Sequence, residues 1–166
     1  MIRESADGGN RRSGSTEGAS MEPVLEHLDA DECLRLISPG GVGRLAYSGR
    51  YGLTVFPVNY QMLDGSVVFR TAEYSPTDED LRTGMSAAEY DVAFEVDSID
   101  ETAREGWSVL IHGPAHHMDT LTEHGQAMQT GVEPWAGGER EHAIRITPHR
   151  ISGRRIRRTG QPVQPA

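Results

Sequence analysis

Between Leu28 and Ser38 the apolar residues fall at helical spacing. Cys33, Leu34 and Ile37 make one stripe, and Asp31, Glu32 and Arg35 lie between them. Asp29 is placed to cap this helix, and Glu32 three residues on completes a capping-box pattern. Leu28 and Cys33 stand where a hydrophobic staple would close, and Ser38-Pro39-Gly40-Gly41 ends the helix. The period then changes to two. "GRLAYSG" reads as a short strand ending in a turn at Ser48–Gly49. "GLTVFPVNYQML" and "SVVFRTA" flank Asp64–Gly65, a strong hairpin signal. Pro57 has no N–H to give a ladder, so it belongs at a bulge or on an unpaired edge. "SPTDEDLRTGMSAAE" allows a helix starting after Ser75 or Thr77, with Pro76 in its first turn. "DVAFEVD" alternates Val92, Phe94 and Val96 with polar residues, and "GWSVLIHGPAHHM" alternates Trp107, Val109 and Ile111. "DTLTEHGQAMQTG" predicts a short helix closed by Gly131, and "HAIRITPHRISGRRI" supplies a last strand or two.

The pattern therefore predicts a mainly β fold of six or seven short antiparallel strands with two or three helices. Turns are regularly spaced and strands do not alternate with helices, which favours a barrel over a parallel sheet. Residues 1–21 are Gly, Ser, Arg and Glu with little to bury, and are expected to be a disordered tail. Residues 158–166 read as a second tail, leaving 22–157 as one folded domain. A barrel this small gains from burying a face against a second copy of itself.

Charge and composition narrow the chemistry. The 166 residues carry a net charge of −9, which argues against nucleic acid as a partner. All 16 basic residues are arginine, so Schiff-base chemistry on lysine is excluded. Cys33 is the only cysteine, which excludes an intrachain disulfide and a thiolate zinc cage. No apolar run approaches the roughly 20 residues of a membrane span, and the start lacks a signal-peptide core. A cytoplasmic setting with no membrane contact is the expectation.

Four groups of residues could carry function. Arg70 and Thr71 end a strand with a guanidinium and a hydroxyl. They read either as a phosphate site or as an exposed rim arginine. Asn59 is a polar amide in an otherwise apolar strand, able to pair with a planar heterocycle or with a neighbouring strand. The histidines of "HGPAHH" invite a metal reading. However, Gly113–Pro114 is expected to break the strand between His112 and His116, and neighbouring His116 and His117 face opposite ways. No metal site is expected. "YSGR" and "ISGR" read as turns, with no G-x-S-x-G nucleophile, and the arginines of "HRISGRRIRR" read as a solvated strand face paired with acidic surface.

In order, "GVGRLAY", "FPVNYQMLDGSVVFRTA", "VAFEVDSIDETAREGWSVLIHGPAH" and "PWAGGEREHAIRITPHRISGRRI" resemble the pyridoxamine 5′-phosphate oxidase-like, FMN-binding split-barrel family, in particular its small actinobacterial-type members. The resemblance spans about residues 24–156. It implies a split-barrel homodimer with residues of both subunits on FMN, or on the deazaflavin F420 as in some relatives, and oxidoreductase chemistry on a small molecule. By the same resemblance Val58, Asn59 and Tyr60 line the flavin ring, and Arg70 and Thr71 contact its phosphate. Trp107 and Ser108 pack near the flavin, and Trp135 and Arg140 come from the second subunit. The family usually places a basic residue shortly after the Arg-Thr pair. Here that segment is longer and acidic, with Glu73, Asp78, Glu79 and Asp80, and Arg82 is its one cation. Carboxylates there oppose a phosphate. A split barrel that has lost tight flavin binding is the alternative expectation.

Overall fold

The computed structural model describes residues 22–82, 90–133 and 141–159. Eight strands and three helices follow one another as β1 (Glu22–Leu28), α1 (Ala30–Ile37), β2 (Gly41–Gly49), β3 (Gly52–Leu63), β4 (Ser66–Thr71), α2 (Pro76–Leu81), β5 (Tyr90–Asp100), β6 (Glu105–His117), α3 (Leu121–Gln129), β7 (His142–Ile146) and β8 (Arg150–Thr159). All pairings are antiparallel, in the order β1-β8-β6-β5-β2-β3-β4-β7. A further pairing of β6 with β7 closes β6-β5-β2-β3-β4-β7 into a six-stranded barrel. The mainly β antiparallel barrel read from the pattern is the fold. Strands β1 and β8 extend it as a wing.

The barrel interior holds the inward residues of each strand: Leu45, Tyr60, Phe69, Phe94, Ile111 and Ile144 are all at most 2% exposed. Burying each such side chain is worth about 1.5–3 kcal/mol, so this layer dominates stability. The β3–β4 hairpin turns at Asp64 and Gly65, both at positive φ (49° and 75°), as its Asp-Gly pair requires. Pro57 sits opposite Arg44 of β2, while the β4 ladder begins only at Tyr60, so no strand of the described residues pairs with its other edge.

Helix α1 is capped by Asp29, whose Oδ1 accepts the Glu32 N–H at 2.8 Å. Only half of the predicted capping box forms. The Glu32 carboxylate turns instead to Arg155 of β8, at 2.7 Å, and to Arg35. Arg155 and Arg157 also reach Glu26, so the basic strand face is paired with acidic surface as its sequence suggests.

Four expectations are corrected. Strand β1 precedes α1, although "EPVLEHL" shows no period-two pattern; it lies at the sheet edge, where no face is buried to impose one. The turn after β2 lies at Arg50–Tyr51, with Ser48 and Gly49 still in the strand. "ISGR" is not a turn but the middle of β8. Gly153 lies under α1, where a Cβ would stand 2.5 Å from the Cys33 sulfur. Gly113–Pro114 does not break β6. It is where that strand changes partner, from β8 up to His112 to β7 from Ala115, and Thr147 N–H bonds the Pro114 carbonyl at 3.0 Å.

Candidate functional site

The end of β4 and the start of α2 bring Asp78, Arg82, His117 and His142 together. Ser75 caps α2 and Pro76 opens it. The Ser75 hydroxyl accepts the Asp78 N–H at 3.2 Å and shares a 2.7 Å hydrogen bond with the buried Thr71 hydroxyl. Thus Thr71 ties the strand end to the helix start.

Asp78 is 2% exposed, rare for a carboxylate, and it is fully engaged. Its Oδ2 accepts the Tyr74 N–H at 3.1 Å. Its Oδ1 stands 2.9 Å from His117 Nε2 and 2.8 Å from His142 Nδ1. Burial alone pushes this carboxyl up, but the bonds from His142, His117 and Tyr74 outweigh it and hold it below its ordinary value. Burial pushes the His117 imidazole down, partly countered by Asp78. Arg82 Nη2 reaches both Asp78 Oδ1, at 3.4 Å, and His142 Nδ1, at 3.2 Å; its Nη1 lies 3.6 Å from Asp119. Asp80 turns away to Arg50, at 2.5 Å, and Glu79 joins it there at 2.7 Å.

Arg70 lies on the opposite side of β4 from Thr71. Its Nη2 meets the Met128 sulfur at 2.9 Å, and its buried Nε has no partner among the described residues. Nor does a carboxylate of the described residues come within ion-pair reach of it. Among the described residues, this half-buried guanidinium faces a thioether and has no compensating anion.

The remaining predicted residues spread over the molecule. Tyr60 turns into the barrel, packs edge-on against Phe94 at 5.2 Å and donates to the Ile37 carbonyl at 2.9 Å. Burial pushes its phenol up to about 12. Val58 is half-buried on the same side and packs on the core, while half-buried Asn59 stands opposite Val42 on the outer face. Trp107 and Ser108 line an open cleft of about 610 Å³ between β5, β6 and β8, with Glu95, Asp97, Arg154 and Ile156. Burial and neighbouring Asp97 push Glu95 up, and Arg44, 3.0 Å from both carboxylates, opposes this. Trp107 is ten residues from His117 along β6, roughly 33 Å of strand, and His142 pairs with Thr71 at that far end. Trp107 and Ser108 are therefore not gathered with Arg70 and Thr71 in one chain. Trp135 and Arg140 lie outside the described residues. Sequence reading missed Asp78, His117 and His142 as a group, because three separate elements supply them and no local spacing links them.

A closed six-stranded antiparallel barrel with an arginine–threonine strand end and a two-strand wing defines a split-barrel protein. The chain belongs to the pyridoxamine 5′-phosphate oxidase family, whose sequence model matches residues 29–155. It is similar to the uncharacterized protein Rv0080 of Mycobacterium tuberculosis, 30% identical over 148 residues, 89% of this chain and 93% of that protein. Among solved structures it is similar to the FAD binding protein from Mycobacterium smegmatis, with TM-score 0.64 and 29% identity over 78% of this chain and 98% of that one. A conserved protein of unknown function from Corynebacterium diphtheriae matches with TM-score 0.61 and 31% identity, over 78% and 96% of the two chains.

Proposed function

We propose that this chain is a flavin-dependent oxidoreductase that works as a homodimer on a small molecule. The observation that carries the reading is Arg70. Its guanidinium is half-buried, its Nε is unpartnered and no described carboxylate neutralises it, which suits an anion such as the phosphate end of a flavin. Family membership and the resemblance to an FAD binding protein support a flavin; FMN is the form the sequence resemblance implies, with FAD and F420 as its competitors. When bound, the flavin supplies hydride transfer, and the protein supplies position and surroundings. Arg70 would hold the phosphate end. The backbone of β3 at Val58 and Asn59, beyond its pairing with β4, and the outward Asn59 side chain would face the ring, while the Val58 side chain stays in the core. Trp107 and Ser108 would come from the partner subunit, since within one chain a length of β6 separates them from Arg70. No acid or base of the protein need act on the flavin.

The acidic α2 does not fill the Arg70 surroundings. Asp78 is bound by two histidines and Tyr74, and Glu79 and Asp80 by Arg50. Arg82, however, is held by Asp78, His142 and Asp119, so it is not free to aid a phosphate. That favours a second reading, a split-barrel binding protein with weak flavin affinity. Absorption spectra of the purified protein and titrations with FMN, FAD and F420 separate the two. Oxidoreductase function requires saturable binding of one of them, weakened about 10–100-fold in Arg70→Ala, the loss of a charged hydrogen bond. A colourless protein that binds none of the three would sink the reading.

A further inference from the structure

We propose that Asp78, His117 and His142 form a binding site for one divalent transition-metal ion. Their three ligand atoms lie within 4.8 Å of one another, and both imidazoles aim a nitrogen at the same carboxylate oxygen. Around an ion bonded at about 2.0–2.2 Å, neighbouring ligand atoms stand roughly 3.0–3.4 Å apart. Two of the three separations, 2.8 and 2.9 Å, already approach that value. Only the two imidazoles need to adjust to each other, and their rings stand nearly perpendicular with centres 6.3 Å apart.

The surroundings are built as supporting shells of metal sites are. The second carboxylate oxygen is held by the Tyr74 N–H, which fixes the plane of Asp78 and leaves Oδ1 to the cluster. Asp78 and His117 are buried at 2% and 6%, while His142 is 26% exposed and opens the site on one side. A cation already stands there: Arg82 Nη2 faces both Asp78 Oδ1 and His142 Nδ1. His142 Nδ1 either donates to Asp78 Oδ1 or accepts from Arg82 Nη2, depending on its tautomer, and in the second tautomer its lone pair, like the carboxylate, faces positive charge. Arg82 is 41% exposed and has Asp119 as an alternative partner, so a compact ion could displace it at small cost. Two imidazoles and one carboxylate suit zinc, iron(II), cobalt or nickel, whereas calcium and magnesium prefer oxygen alone. Three protein ligands leave at least one position open to water or a small ligand.

The site does not depend on flavin, and a flavin-free preparation tests it. Chelator-stripped protein is titrated with Co²⁺, followed by its visible d–d absorption, and with Zn²⁺ by calorimetry. One ion per chain should bind. His142→Gln, at the partly exposed ligand, should keep the folded circular dichroism spectrum and weaken binding about tenfold or more. Arg82→Gln should tighten binding, since it removes the competing cation; a purely structural hydrogen-bond cluster predicts no such gain. Absence of stoichiometric binding in the wild type overturns the site. So does affinity unchanged in His142→Gln, which would assign the ion to scattered surface histidines.

Discussion

Tyr60 shows how one side chain in this barrel couples burial to pH. Its hydroxyl bonds the last carbonyl of α1, which also accepts the Gly40 N–H at 3.1 Å. Deleting the hydroxyl therefore leaves that carbonyl satisfied, and Tyr60→Phe should cost only about 1 kcal/mol at neutral pH. The alkaline side differs. The folded phenol is pushed up to about 12, above the ordinary 10. A raised folded value means the contribution is complete below pH 10 and is lost as pH rises through the folded value. Cys33, Tyr47 and Tyr74 are also pushed up, so the alkaline loss is shared and the difference between wild type and Tyr60→Phe isolates the Tyr60 part. Denaturant midpoints measured from pH 9 to 12 should fall for the wild type and fall less for Tyr60→Phe. Parallel curves would place the alkaline loss elsewhere. By contrast, the family resemblance implied that Tyr60 lines the flavin ring. Its neighbours alternate into and out of the barrel, and only the register against Phe69 shows that Tyr60 is on the inside.

At the scale of elements, the contact between α1 and β8 depends on a missing side chain. Gly153 lies under Cys33, with the Leu28 side chain and the Ser108 carbonyl also close. Gly153→Ala should overpack this contact by about 1–3 kcal/mol, seen as a drop in Tm. Cys33→Ala opens the same space. The double variant should therefore be more stable than the two single effects added together, and strict additivity would show that the contact is not the cause. The same contact explains what the sequence could and could not reveal. The α1 stripe, the Asp-Gly hairpin and the β5 and β6 alternation were legible because each is a local pattern tied to one buried face. Gly153 read as a turn residue because the reason for it, a helix crossing the strand, lies 120 residues earlier in the chain. The pairing of Asp78 with His117 and His142 was hidden for the same reason: 39 and 64 residues separate the partners. The end of β6 was misjudged at Gly113–Pro114 because a change of strand partner looks, locally, like a break.

At the scale of the molecule, the outer face of β2 and β3 is out of keeping with a lone barrel. Leu53 and Val55 are 90% and 65% exposed, and Val42 and Pro57 continue the patch along the strands. Contiguous apolar surface of this kind is unusual on a monomer and marks an interaction face. The separation of Trp107 and Ser108 from Arg70 points the same way, because a site using both needs two chains. Together these predict a two-fold dimer through this face, with each flavin site shared between the subunits. Val55→Glu tests both parts at once. In a single chain it replaces an exposed residue and should change stability by less than about 0.5 kcal/mol. In the dimer it buries an unpaired carboxylate, so light scattering should show dissociation at micromolar concentration. Flavin affinity should fall with it although Arg70 is untouched, and should return in part when protein concentration is raised. A wild type that is monomeric by light scattering overturns the shared site. So does a monomeric Val55→Glu variant that binds flavin as the wild type does.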